Sequence, residues 1–238
     1  LPAERSCLSA DPRICALVDR WLKAWPTQAP NRPDIDPRAL NTNAPLAIDG
    51  DAASLRLDQT LARRHRLTAR YTWTDQQADS FQLVAGQNPD TTTKAQDARL
   101  TWNAAPSPRT LLDVTAGFTR ARALLTPEPN AVGPQVQIGT ALEKLGPGAS
   151  IPVDRVQNRY RLAARFSRQD GNHNWSAGAE FSRMHFNGRE VSSNRGNVYF
   201  RNDFGRDAIT NFRLGTPNRY TTGIGEVGRG FRRWENHV

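Results

Sequence analysis

Strict alternation of apolar and polar residues through two arms joined by a tight turn constrains this chain more than any other feature. It runs from Asn158 to Phe186, NRYRLAARFSRQDGNHNWSAGAEFSRMHF. In the first arm Tyr160, Leu162, Ala164 and Phe166 fall on one side, and Arg159, Arg161, Ala163 and Arg165 on the other. In the second, Trp175, Ala177, Ala179 and Phe181 oppose Asn174, Ser176, Gly178, Glu180 and Ser182. Successive side chains of a strand point to opposite faces, so a period of two predicts a β-hairpin with one oily and one wet face. Gln169-Asp170-Gly171-Asn172 supplies the turn, with Gly171 free to take positive φ.

The same unit recurs. Leu55 and Leu57 alternate with Ser54, Arg56 and Asp58, the chain turns at Ala62-Arg63-Arg64-His65, and Leu67, Ala69, Tyr71 and Trp73 then oppose Thr68, Arg70, Thr72 and Thr74. A further pair sets Ala98, Leu100 and Trp102 against Arg99, Thr101 and Asn103, and Leu112, Val114, Ala116 and Phe118 against Asp113, Thr115, Gly117 and Thr119. Its connection, Ala105-Pro106-Ser107-Pro108-Arg109, is expected to lie outside the ladder because proline lacks the N–H donor. The strand pairs are therefore placed at about 53–75, 97–121 and 157–186. Turns within pairs are short, while the connections 75–96, 122–156 and 187 onward are long, and such long loops are uncommon in compact soluble domains. Short turns on one rim, long loops on the other and strands of about ten residues suit a transmembrane β-barrel. Tyr71, Trp73, Trp102, Tyr160 and Trp175 stand near strand ends, where interfacial aromatics belong. The expected fold is all-β, with antiparallel up-and-down hairpins forming part of such a barrel.

Residues 1–50 differ from this pattern. Asp11-Pro12 starts a helix by the cap-then-proline rule and Pro26 stops it, with Ile14, Leu17, Val18, Trp21 and Trp25 on one face. From Pro26 to Gly50 the prolines space the chain into an extended loop. The chain thus divides into an extracellular loop segment with a short helix, 1–50, and a partial barrel, 51–238. It opens at Leu1 without a signal-peptide pattern and stops at His237-Val238 without a closing element, so an internal stretch of a larger barrel is expected. Cys7 and Cys15 are its only cysteines. With Pro12 between them a disulfide is geometrically open, two free thiols being the alternative, and two cysteines without a nearby His make a poor metal site.

A hydrophobic share of 37% and a mean hydropathy of −0.66 leave little for a thick core. The formal charge of +9 suits anionic partners. The arginines are spread over alternating strand positions and not clustered, which argues for outer-membrane lipid and lipopolysaccharide and against nucleic acid. None of His65, His173, His185 and His237 sits in a catalytic motif. Gly223-Ile224-Gly225-Glu226-Val227-Gly228 spells GxGxxG without the strand and helix a nucleotide site needs. No catalytic residue, metal or cofactor is expected, and the chain is read as non-enzymatic. The candidate functional residues are those of the wet face, expected to line the lumen: Arg56, Asp58, Arg70, Arg99, Asp113, Arg159, Arg161, Arg165 and Glu180.

Several segments resemble the barrel region of TonB-dependent outer-membrane receptors of the Oar-like type, which carry a carboxypeptidase-regulatory-like domain ahead of the plug. They are NRPDIDPRALNTNAPLAIDGDAASLRL (31–57), FQLVAGQNPDTTTK (81–94), PEPNAVGP (127–134), FRNDFGRDAITNFRLGTP (200–217) and Arg229-Gly230-Phe231. The resemblance implies a Gram-negative outer-membrane location, ligand capture by external loops, and import through a plugged barrel energised by TonB acting through a plug region not contained here. A secreted or surface-exposed antiparallel sheet protein that binds glycan or another anionic polymer is the alternative from a different class. The two differ in whether the apolar strand faces meet lipid or a second protein layer.

Overall fold

The computed structural model describes residues 1–129, 131, 133–140, 142–189, 193–224 and 230–238. After a 3-10 turn at Pro2–Glu4, the elements are α1 (Pro12–Leu22), β1 (Ala47–Ala62), β2 (His65–Asp79), β3 (Asp90–Ser107), β4 (Thr110–Thr126), β5 (Gln135–Ile138), β6 (Val153–Asp170), β7 (His173–Arg189), β8 (Asn197–Phe200), α2 (Ala208–Leu214), β9 (Arg219–Thr221) and β10 (Gly230–His237). The seven longer strands form one antiparallel sheet in the order β1-β2-β3-β4-β6-β7-β10, with β1 and β10 as its edges among the described residues.

The pairing register aligns the alternation of each strand with that of its neighbour. One row runs Leu57, Ala69, Leu100, Ala116, Leu162, Phe181, and the next runs Leu55, Tyr71, Ala98, Phe118, Tyr160. The sheet therefore has one continuous apolar face. No second layer covers it among the described residues: Leu57 is 61% exposed, Leu162 54% and Trp175 64%. A secreted sandwich would bury these side chains against another sheet, whereas a lipid-facing wall leaves them bare to the protein.

The apolar window also slides along the ladder. On β2 it runs from Leu67 to Trp73; Trp73 is in register, through Gln96, Arg120 and Asn158, with His185 of β7. On β7, however, the window ends at Phe181. The slide is about four residues over four strand steps, about one residue per strand. With ~3.3 Å per residue and ~4.8 Å between strands, a level apolar band then requires a strand tilt of about 35°, the range found in closed membrane barrels.

The strands run longer than the apolar alternation suggests. β2 continues to Asp79 and β3 begins at Asp90, with Gln76 and Gln77 paired to Thr93 and Thr92. Hydrogen bonding needs no apolar side chains, so the ladder continues past the oily band on polar β-formers. Pro106 also lies within β3 and not outside the ladder. The register shifts between Ala104 and Ser107, and at that bulge the missing N–H is tolerated. The tight turn is Pro108-Arg109, and those at Arg63-Arg64 and Gly171-Asn172 lie at the same end of the sheet. Gly171 takes φ 60° there.

At the other end, four connecting segments fold together as a cap. They are 1–46, 80–89, the described part of 127–152, and that of 190–224. Stretches expected to be plain loops contribute a three-stranded sheet, β5 parallel to β8 and β8 antiparallel to β9, and the helix α2. The cap holds the hydrophobic core of the chain: Val18, Trp21, Val84, Val136, Ile138, Leu145, Val198, Phe200 and Phe212 are buried together. Among the described residues no helix is long and apolar enough to cross a membrane. Gly225 and Gly228 of the GxGxxG spelling lie outside the described residues.

Candidate functional site

The polar face of the sheet carries all nine residues expected to line the lumen. Arg56, Arg70, Arg99, Gly117 and Arg161 are successive partners across β1, β2, β3, β4 and β6, so four arginines share one row. Two carboxylates neutralise part of it. Asp58 pairs with Arg56 at 2.7 Å and Arg66 at 3.1 Å and accepts a hydrogen bond from the Thr68 hydroxyl at 2.7 Å. Glu180 pairs with Arg161 at 2.6 Å and lies 3.8 Å from Arg159. Asp113 accepts a hydrogen bond from the Asn103 amide. Arg70, Arg99 and Arg165 are exposed, and no ion pair involves them among the described residues.

The cap is the second component, and local sequence explains its elements. Asp11 caps α1, accepting from the Arg13 amide at 2.8 Å, with Pro12 at the first helical position. Asp207 caps α2, and Gly215 ends it at φ 67°. The two helices meet through Phe212, whose ring stacks on Trp21 at 6.1 Å and meets Trp25 and Phe200 edge-on at 5.8 and 5.3 Å. Asn211 is fully buried and donates to the carbonyls of Arg201 (2.9 Å) and Asp203 (3.0 Å) while accepting from Arg206 (2.9 Å). It pins the loop that precedes its own helix.

Cys7 and Cys15 are joined by a disulfide. The Leu8 amide donates to the Arg213 carbonyl at 2.8 Å, tying this closed loop to α2. Closing a loop of that length contributes on the order of 2.5 kcal/mol by chain entropy. The Ala85 amide donates to the Ala24 carbonyl at 2.9 Å and joins the β2–β3 connection to the end of α1.

Beside this core is a cleft of about 190 Å³, walled by Leu22, Trp25, Leu40, Leu142, Ile209 and Phe212. Its size suits an aromatic ring or a short aliphatic group. Glu4 and Arg38 form its charged rim, Arg38 Nε donating to Glu4 Oε2 at 2.9 Å. Elsewhere on the cap Phe204 is 58% exposed and takes φ 57°, an unusual backbone for a residue with a bulky side chain.

The Arg38 guanidinium holds the Glu4 carboxyl at about 2, against an ordinary 4.5. Because the folded value lies below the unfolded one, the pair stabilises the cap above pH 4.5, and that contribution drains away as the pH falls from 4.5 towards 2. Tryptophan fluorescence, which reports Trp25 in the same cleft, is expected to change over that window in the natural protein, and the change should be reduced in Arg38→Met. An identical acid transition in the variant would mean that the pair does not hold the rim.

Alternation alone finds the polar-face residues, but it does not find the cap core. Helical spacing does find one part of that core, since Ile14, Val18, Trp21 and Trp25 of the expected helix face pack in it while Leu17 stays exposed. For the rest the sequence carries only two short period-two pairs, Val136 with Ile138 and Val198 with Phe200, inside stretches otherwise rich in turn formers. Among the described residues no cluster of three or more His, Cys, Asp or Glu side chains could hold a metal ion.

Compared with known families, residues 8–238 match the model of a family described as an outer membrane beta barrel domain. No curated protein and no solved structure matched the chain.

Proposed function

The chain belongs to the outer membrane beta barrel domain family, and on that premise we propose that it forms wall and outer mouth of a receptor that imports an anionic ligand. Family membership puts it in the outer membrane of a Gram-negative bacterium, where the bare apolar face meets hydrocarbon. The polar face then borders the lumen, the cap faces outward, and the tight turns face the periplasm. Ligand held at the cap passes along the arginine row. Passage is energised by TonB through a plug, as the likeness of segments 31–57 and 200–217 to Oar-like receptors implies. The activity is binding and passage, without covalent chemistry.

The observation that carries this reading is the direct pairing of Arg56 with Arg70 and of Arg70 with Arg99. Like charges opposite one another in adjacent strands are unfavourable by about 0.2–1 kcal/mol per pair. A wall that keeps them is suited to anions, either carboxylates of a plug or groups of a ligand in transit.

Cells with and without the gene, incubated with a panel of short anionic peptides and anionic oligosaccharides, test the proposal. At least one compound should be depleted about tenfold faster by cells that carry the gene, and a protonophore should abolish the difference. Depletion that persists under the protonophore would make the protein a passive channel, and equal depletion by both strains would remove the import reading.

A further inference from the structure

We propose that the outward face of β4, β6, β7 and β10, just beyond the apolar band on the cap side, binds the phosphates of lipid A in the outer leaflet. The inference rests on the cap-outward orientation proposed above and adds a ligand on the opposite face of the wall. Arg120 and Arg183 have the same parity as the lipid-facing residues: Arg120 follows Phe118 on β4, and Arg183 follows Phe181 on β7. Each lies one outward position past the aromatic that closes the apolar band on its strand, Phe118 on β4 and Phe181 on β7, and on β4 a lone outward leucine, Leu124, follows only after a second arginine, Arg122. With the window sliding by about one residue per strand, that puts both arginines at one depth, about 5 Å beyond the oily band. Their Cα atoms are separated by two strand steps and one two-residue offset, about 12 Å, so both side chains reach a headgroup the size of a disaccharide.

Neither guanidinium is in an ion pair among the described residues; Asp154, whose carboxylate feels the Arg120 charge, is bonded to Arg122. Arg120 reaches the Asn158 oxygen at 3.2 Å, and Arg183 lies over the Trp234 ring at 4.7 Å. Arg183 Nε and His185 Nε2 are buried without a hydrogen-bond partner. The carboxylates of the next row are already engaged, Asp154 by both nitrogens of Arg122 (2.9 and 2.8 Å) and Asp75 by Lys94 (2.7 Å). Tyr160, His185 and Trp234 form a continuous ring ladder at 5.4 Å spacings beside the two arginines, an amphipathic surface of the kind found at headgroup level.

The patch is confined to one sector. At the same depth the β1–β2 wall carries Asp51 and Asp75, so a diffuse attraction to all anionic lipid is not what this face is built for. A doubly phosphorylated, acylated sugar in the outer leaflet matches the depth, the charge and the ring ladder together.

The test uses the natural full-length protein in nanodiscs, with bisphosphorylated lipid A, dephosphorylated lipid A or phosphatidylglycerol as probe. Lipid that stays bound after a detergent wash is quantified by mass spectrometry. Arg120→Gln combined with Arg183→Gln should lower retained bisphosphorylated lipid A about tenfold or more. Arg168→Gln, an outward arginine at the turn end, should leave retention unchanged. Dephosphorylated lipid A should bind the natural protein no better than it binds the double variant. Should the double variant fail to fold, each single variant should show a several-fold loss. Full retention by the variants, an equal loss in Arg168→Gln, or displacement by equimolar phosphatidylglycerol would overturn the proposal. Cleavage of the cap by trypsin added to intact cells reads the orientation independently. Failure of lipid A retention with an accessible cap therefore counts against this site alone.

Discussion

An arginine introduced at Leu162 is expected to cost the membrane-folded domain about 2–4 kcal/mol, while an arginine at Ala163, the next residue, costs less than about 1. Leu162 lies in the middle of the apolar band, paired with Ala116 on one side and Phe181 on the other, and is 54% exposed in the chain itself. In the membrane that exposure is to hydrocarbon, where a guanidinium loses its hydration and finds no partner. Ala163 points the other way and is paired with Glu180, so a new guanidinium there meets a carboxylate and water. The check is urea unfolding of the natural full-length protein from lipid vesicles, followed by the gel-mobility difference between folded and unfolded forms. Equal costs at the two positions would remove the assignment of faces, and a larger cost at Ala163 would reverse it.

The same contrast explains what the sequence made legible. A period of two is a direct readout of two environments, so the faces of all three hairpins, and with them the positions of the nine polar-face residues, follow from alternation. Strand ends do not, because past the oily band polar side chains occupy both faces and only backbone pairing continues, as at Thr91 to Thr93. Pro106 looked like an end for a related reason, since its missing N–H matters only where the ladder needs it and a bulge removes that need. The cap was least legible. Its core is assembled from residues far apart in sequence, with Val18, Val84, Val136, Phe200 and Phe212 drawn from all four connecting segments. Only the segment of α1 contributes enough of them, Ile14, Val18, Trp21 and Trp25, to show a period; each of the others contributes too few. The disulfide was open for a similar reason: proximity of Cys7 and Cys15 along the chain permits a bridge, while the turn at Ser9 and Asp11 that brings them together is set by local hydrogen bonds, the Asp11 amide donating to Ser9 Oγ at 3.2 Å.

Phe212→Ala is expected to unfold the cap while leaving the strands inserted. The ring is 1% exposed and packs against Trp21, Trp25 and Phe200, and removing a phenylalanine from such a site costs about 3–5 kcal/mol. The elements it joins cannot stand alone. α2 has 7 residues and α1 has 11, lengths at which a helix in water is marginal or absent without packing. Losing the ring therefore removes the reason for both helices to hold, and the disulfide limits the damage only within residues 7–15. The sheet has no part in this core. Its strands are held by their own ladders and by the lipid, so the loss should stay local. Backbone amides of α1 and β8 should exchange about a hundredfold faster or more in the variant, while amides of β3, β4 and β6 and the gel mobility of the folded form stay as in the natural protein. Unchanged exchange in α1 would mean that the cap is not one cooperative unit, and a parallel loss in β4 would mean that it is not separate from the wall. With insertion intact, the variant also separates the two parts of the proposed receptor: import that depends on a folded cap should fall with it, whereas passage governed by the arginine row alone should not.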